Sequence, residues 1–447
     1  MFLYSRLASR SKSKSATADG HRPIETIPTE ILILIFKQFC YASTSAEPSS
    51  TPQLHLAQIC HHWRSVVLDL PTLWTKLAVS SRTPPHIVST HLQRSQQLSL
   101  DVEVDLRHDA TDMVTHERVL TTWNLLQTTA FRWHRLVLQI GPHVTSEISE
   151  DLRKLGTPLL QELRISSSSH VSGLTTLLGG GAPSLKSLQL IGISATHFTL
   201  PLDQVTRLNL SSNSSMSFSA FHSLLSNMPN LKELTLRSRV VEAWPVYPSE
   251  EDMVILPSLT TLMLSDRRWP LFVPLLSISA PNLRTLSLHE LVAHDLPEIE
   301  MESHLSNNFP SITNLLVKGN SSFIDDSCFS QLSRIFPTIE HFALAGVDEF
   351  FVQESARSLH EPTIWPRLRS ISMTSLSTED MLCSLISART KPTKGRAPLK
   401  TLAISIPSQL KRADWIRQQV SVEEYWDPSS PLSSNLTSEL SLSTSHK

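Results

Sequence analysis

Pro229-Asn230-Leu231-Lys232-Glu233-Leu234-Thr235-Leu236 decides the fold, because its pattern returns along most of the chain. Leu234 and Leu236 are two apart, so an extended backbone turns both to one side. Leu231 lies three earlier, at the bend that leads into the strand. Pro229 fixes φ and carries no N–H, so it ends the preceding helix and starts a turn. The same letters follow Pro183 (SLKSLQL), Pro257 (SLTTLML) and Pro281 (NLRTLSL). Looser copies follow Pro158, Pro310, Pro337, Pro366 and Pro398. The starts 229, 257, 281, 310, 337 and 366 differ by 28, 24, 29, 27 and 29.

Helix-like pieces lie between these strands. Phe218-Phe221-Leu224-Leu225 and Phe329-Leu332-Ile335-Phe336 space their apolar residues by three and four. One strand and one helix cannot bury their faces alone, but stacked copies share a continuous core. A 20–29-residue period carrying Leu-x-x-Leu-x-Leu is the signature of leucine-rich repeats. The copies are irregular: the asparagine expected after the last leucine is missing from most, so no regular asparagine ladder is predicted. Pro201 to Leu210 reads as a short repeat. Leu98-Ser99-Leu100 and Leu136-Val137-Leu138 are candidate degenerate first strands, and Ala413 to Val420 a capping helix.

Bulk composition agrees with an elongated array or a few ordinary domains. The chain has 447 residues, 40% hydrophobic and 18% charged, and its formal net charge of -2 argues against whole-protein attraction to nucleic acid. Cys40, Cys60, Cys328 and Cys383 contain no C-x-x-C pair, which suits a reducing compartment, cytoplasmic or nuclear. In that setting the N-x-S/T sequons at Asn209, Asn213, Asn320 and Asn435 are chance matches in a serine-rich chain. No run of about 18 apolar residues exists to span a membrane. Residues 1–22 carry Arg6, Arg10, Lys12 and Lys14 with no acid before Asp19, a composition shared by transit peptides. Their thin apolar content favours a disordered basic leader. Residues 428–447 are serine-dominated without periodicity and read as a disordered tail.

Ile24 to Trp74 has a different texture. Ile27-Pro28-Thr29-Glu30-Ile31-Leu32 opens one apolar helix, Leu34-Ile35-Phe36 continues it, and Leu54 to Trp63 carries a second. Ile31, Leu32 and Ile35 fall at helical spacing. The segment is too small and too apolar to hide its own surface, which predicts docking on another protein.

Residues 27–74 resemble an F-box. The matching letters are Ile27-Pro28-x-Glu30-Ile31 with Ile35-Phe36, then Ile59-Cys60-x-x-Trp63 and Pro71-x-Leu73-Trp74. The whole chain is similar to the F-box/leucine-rich-repeat proteins abundant in fungi. That family begins with Leu-Pro where this chain has Ile27-Pro28. An insertion from about Tyr41 to Pro52 also lengthens the link between helices, which costs roughly 0.6 kcal/mol per doubling of a loop. The resemblance implies an α-helical F-box at 23–75 and an α/β leucine-rich-repeat solenoid at 76–427. It implies docking on a Skp-type adaptor that leads to a cullin ubiquitin ligase. The implied adaptor contacts are Pro28, Ile31, Leu32, Ile35, Phe36, Ile59, Cys60 and Trp63. The alternative partner for this surface is the chain's own first repeats.

Catalytic and metal chemistry finds little purchase. His55, Cys60, His61 and His62 are the densest set of potential ligands, but His61 and His62 diverge by about 100° on a helix. His289-Glu290-Leu291-Val292-Ala293-His294 has one residue too many for a zincin pair, and its histidines diverge by about 140°. No phosphate-cradling glycine loop, dinucleotide fingerprint or nucleophile elbow occurs, and Gly179-Gly180-Gly181 reads as an inter-repeat turn. Arg389, Lys391, Lys394 and Arg396 read as a solvated basic loop, with contact to a phosphorylated or acidic partner as the other reading. Ser430-Pro431 is a weak phosphorylation signal in the tail.

The expectation is therefore a non-catalytic subunit with no cofactor or metal that selects a target protein for ubiquitin transfer. The concave strand positions Glu233, Thr235, Arg237, Met263, Ser265, Ser287 and His289 are candidate target contacts. The rival is a scaffold that uses its repeats without any ligase.

Overall fold

The computed structural model describes residues 27–42, 52–107, 113–141, 146–167, 177–193, 202–211, 215–245, 247–266, 270–291, 296–297, 301–319, 326–346, 356–361, 363–373, 379–391, 397–404 and 412–424. The expected leader, the insertion over 43–51, the tail, His294, Lys394 and Arg396 lie outside the described residues.

Among the described residues the chain is mixed helix and strand. Three helices come first: α1 (Thr29–Ala42), α2 (Pro52–Ile59) and α3 (His61–Asp69). A 3-10 turn (Pro71–Trp74) leads from them into β1 (Lys76–Ser80). After α4 (Pro85–Arg94) come β2 (Leu100–Leu106), β3 (Trp133–Ile140), β4 (Glu162–Ser167), β5 (Ser187–Ile191), β6 (Arg207–Ser211) and β7 (Glu233–Arg237). The paired strands β8 (Val254–Ile255) and β10 (Ile278–Ser279) form a separate two-stranded sheet. The rest are β9 (Thr261–Ser265), β11 (Thr285–His289), β12 (Asn314–Gly319), β13 (His341–Gly346), β14 (Ser370–Met373), β15 (Thr401–Ile404) and β16 (Ser421–Glu424). Fourteen of these strands form one sheet whose order follows the chain, each bonded to the one before. Every adjacent pair in that sheet is parallel.

The proline frame explains this order. Leu208, Leu234, Leu262, Leu286 and Leu315 pair in register, as do Leu210, Leu236, Leu264, Leu288 and Val317. All of them are buried in one continuous apolar cluster. From β5 to β15 of the main sheet, two successive N–H groups where each strand starts share one carbonyl at the start of the strand before. The amides of Lys232 and Glu233 donate to Thr206 O, and those of Thr260 and Thr261 to Lys232 O. The residue after the proline adds a side-chain link. Ser184 Oγ donates to Pro158 O, Asn230 Nδ2 to Asp203 O, Asn282 Nδ2 to Pro257 O and Thr338 Oγ1 to Ile312 O, at 2.6–2.9 Å. This row stands at a different position from the asparagine ladder that the sequence lacks.

Several local expectations are corrected. Leu98-Ser99-Leu100 is not the strand: the Leu98 amide closes a turn on Ser95 O, and Leu98 O accepts from buried Arg132 Nε. The strand starts at Leu100, and Val102 and Val104 carry its inward side. The second helix of the N-terminal segment breaks at Cys60, which is extended and whose Sγ accepts from Trp63 N as a cap to α3. Strands β1 and β16 lack the proline-leucine frame and were not anticipated. Arg389 is not on a solvated loop. It lies in the helix Glu379–Thr390 and is buried, its guanidinium donating to the carbonyls of Leu359, Glu361, Ile364 and Trp365. Those carbonyls supply the polar contacts that a buried cation needs.

Gly179-Gly180-Gly181 does form a turn, held backbone to backbone against 152–157. A Cβ on Gly180 would come within 2.7 Å of Gly156 N, and Gly181 has φ +94°. A side chain at Gly180 would displace the neighbouring turn, whereas one at Gly181 would meet open space but strain a left-handed backbone.

Candidate functional site: the apolar face of the first helix

Two apolar stripes run along α1, about 100° apart. Leu32, Phe36 and Cys40 face inward and join Leu56, Ala57, Trp63, Val67, Leu73 and Trp74 in a small core of their own. Phe36 meets Trp63 edge-on with ring centroids 4.8 Å apart. Burial pushes the Cys40 thiol up to about 11, so it stays a neutral apolar group. Buried Gln53 on α2 donates from Nε2 to Leu73 O at 2.7 Å, and Trp74 Nε1 donates to Val67 O at 2.9 Å. These bonds fix the 3-10 turn against the helices.

The other stripe is left in solvent. Ile31, Leu34, Ile35 and Phe39 are 47%, 61%, 44% and 43% exposed, and Ile59 at the end of α2 is 56% exposed. These five are half of the large exposed hydrophobic side chains among the described residues, although the three helices occupy a small part of the chain. Exposed apolar side chains concentrated in this way are a general feature of interaction surfaces.

The eight residues predicted to touch an adaptor divide accordingly. Ile31, Ile35 and Ile59 are exposed, as is Pro28, whose carbonyl accepts the first helical bonds from Ile31 N and Leu32 N. Leu32, Phe36 and Trp63 are buried and shape the surface from beneath. Cys60 is half-buried and caps α3. Sequence reasoning missed Leu34 and Phe39. The signal was present: apolar residues at 31, 34, 35 and 39 as well as at 32, 36 and 40 exceed what one buried face can hold.

The helices join the sheet through a compact junction. The Trp74 ring meets His91 of α4 edge-on at 4.9 Å, and Arg94 lies 5.5 Å from its centroid. Arg94 Nη1 donates to Leu68 O at 3.0 Å. Burial pushes His91 down to about 4, so its ring is neutral at neutral pH.

The seven predicted target contacts also separate. Thr235, Met263 and Ser287 are adjacent rungs of one row, and Arg237, Ser265 and His289 of another. Glu233 and Arg237 are exposed, while Thr235, Met263 and Ser265 are half-buried. Arg237 Nη2 reaches Met263 Sδ at 3.8 Å. Ser287 and His289 are buried, which takes them out of the accessible surface. For Ser287 the cause is its neighbours: a short side chain sits between the larger Met263 and Leu316 on flanking rungs.

Among the described residues no group of histidine, cysteine, aspartate and glutamate is placed to hold a metal. No helix there is long and apolar enough to cross a membrane.

Residues 24–80 match the F-box-like family, a span that takes in α1 to α3, the 3-10 turn and β1. F-box domains generally bind Skp-type adaptors of cullin ligases. No curated protein matches the chain.

Proposed function

We propose that this protein is a substrate-selecting subunit of a cullin-type ubiquitin ligase, with the exposed stripe of α1 docking a Skp-type adaptor and the strand stack holding a target protein. The observation that carries the reading is the exposure of Ile31, Leu34, Ile35 and Phe39 on a helix whose opposite stripe is already buried. Large apolar side chains at helical spacing are the usual anchors of a helix-in-groove contact. Ile59 extends the apolar surface beyond α1. Leu32, Phe36 and Trp63 act indirectly, by holding α1 in place.

The strand stack is read as an irregular leucine-rich-repeat solenoid. Its support is the proline-leucine frame together with fourteen parallel strands in chain order. Within it, Glu233, Thr235, Arg237, Met263 and Ser265 are the accessible members of the proposed target surface. In this reading the chain carries out no chemistry itself, and ubiquitin transfer belongs to its partners.

The test is to compare the abundance of proteins captured by the strand stack in cells that carry the intact chain and in cells that carry a chain lacking residues 24–74. The ligase reading requires captured proteins to accumulate when the segment is removed. Unchanged abundance of every captured protein contradicts it and leaves a scaffold.

A further inference from the structure

From β5 to β15 of the main sheet, the position just before each strand forms a continuous hydrogen-bonded row along the leading edge. The amide of each residue donates to the carbonyl of the one before, through Lys186, Thr206, Lys232, Thr260, Arg284, Thr313, Glu340, Arg369 and Lys400, at 2.7–3.0 Å. Up to Thr313 the row alternates cation and threonine. Lys186, Lys232, Arg284, Arg369 and Lys400 are all exposed. Among the described residues, Lys232, Arg284 and Lys400 meet no carboxylate, Lys186 Nζ lies 3.4 Å from Gln161 Oε1, and Arg369 faces Glu340 at 3.7 Å. The edge is thus locally basic in a chain whose net charge is -2.

We propose that this edge binds an extended acidic peptide segment of a partner protein, with carboxylates at every third residue meeting Lys186, Lys232 and Arg284. The spacing sets the register. Neighbouring strands lie about 4.8 Å apart, so cations on alternate rungs are about 10 Å apart, close to one turn of a polyproline II peptide, whose three residues at ~3.1 Å each return the side chain to the same side. The interleaved threonines contribute little further polar attraction, since Thr206 Oγ1 and Thr260 Oγ1 already donate to Lys186 O and Lys232 O. A nucleic acid fits worse: its charge recurs at every nucleotide, more densely than cations that stand on alternate rungs. The inference deepens the target-holding half of the proposed function and rests on it only in calling the bound segment a target. Binding itself is measured without any adaptor, so the two fail separately.

The experiment uses the full chain and fluorescence anisotropy at low salt. The probes are a labelled Glu-Ser-Gly repeat peptide of about 12 residues, long enough to cross three cations, its Gln-Ser-Gly counterpart, and a single-stranded oligothymidylate. The glutamate peptide is expected to bind at least about tenfold more tightly than the glutamine peptide, and to weaken as salt is raised. Lys232→Glu with Arg284→Glu should reduce that binding about tenfold or more, while Arg64→Gln with Arg82→Gln should leave it unchanged. Lys232→Arg with Arg284→Lys should retain it, which separates lost charge from lost folding. Equal affinity for the two peptides, undiminished binding by the charge-reversed chain, or tighter binding of the oligonucleotide would overturn the proposal.

Discussion

The three N-terminal helices and the strand stack handle apolar surface in opposite ways. In the stack, each leucine pair is covered by the next rung, and one cluster runs from Leu77 to Val420. In the helical segment a separate cluster of nine buried residues, Leu32 to Trp74, covers only one stripe of α1 and leaves the other in water. Repetition completes the first core from within the chain, whereas on α1 a second apolar stripe stays exposed beside the buried one. The boundary falls between Trp74 and Leu77, bridged by the contacts of Trp74 with His91 and Arg94.

The largest expected effects come from breaking one side of this comparison at a time. Phe36→Ala empties the centre of the small core and should cost about 3–5 kcal/mol. Hydrogen exchange should then rise across 27–74 while the strands from β2 onward keep their protection. Loss of protection throughout would mean that the two cores fold as one. Arg389→Met is the reciprocal experiment. It leaves the carbonyls of Leu359 and Ile364 without their donor, removes one of two donors from those of Glu361 and Trp365, and should destabilise the last strands by about 3 kcal/mol. Thermal denaturation followed by exchange should show β13 to β15 opening first, with α1 to α3 unaffected.

The junction gives a pH-dependent effect of similar or smaller size. The folded-state value of His91, about 4, lies below its ordinary 6.5, so the folded chain holds fewer protons than the unfolded chain between these values. Stability is at full strength above about pH 6.5 and falls as pH drops toward 4, by at most about 3 kcal/mol. His91→Gln should flatten that part of the stability profile, and an unchanged profile would remove His91 from the account. The smallest effects belong to the links between repeats. Asn230→Ala and Asn282→Ala each remove one exposed bond to the preceding repeat and should cost about 0.5–1 kcal/mol by denaturant titration.

The same comparison shows what the sequence could and could not disclose. A proline, then leucines at fixed offsets, marks a strand because each letter has one geometric job; β5, β7, β9 and β11 fall where that frame places them. β1 and β16 carry no such frame, so no proline or leucine spacing marks them. Arg389 looked solvated because a basic residue beside Lys391 and Pro392 gives no hint that four carbonyls converge on it. In α1 the letters showed an apolar helix but not which stripe faces inward, because that depends on where α2 and α3 pack. Leu32 and Ile35 therefore looked equivalent until the fold separated them, and Leu34 and Phe39 were overlooked.

The most direct measurement is calorimetric titration of a purified Skp-type adaptor into the full chain and into Ile31→Asp with Ile35→Asp, with circular dichroism confirming that both are folded. The account predicts a saturable complex with the natural chain and a loss of about 100-fold or more in the variant, whose substitutions lie on the exposed stripe alone. Absence of binding by the natural chain, or equal affinity in the variant, would contradict the claim that this stripe is the docking face.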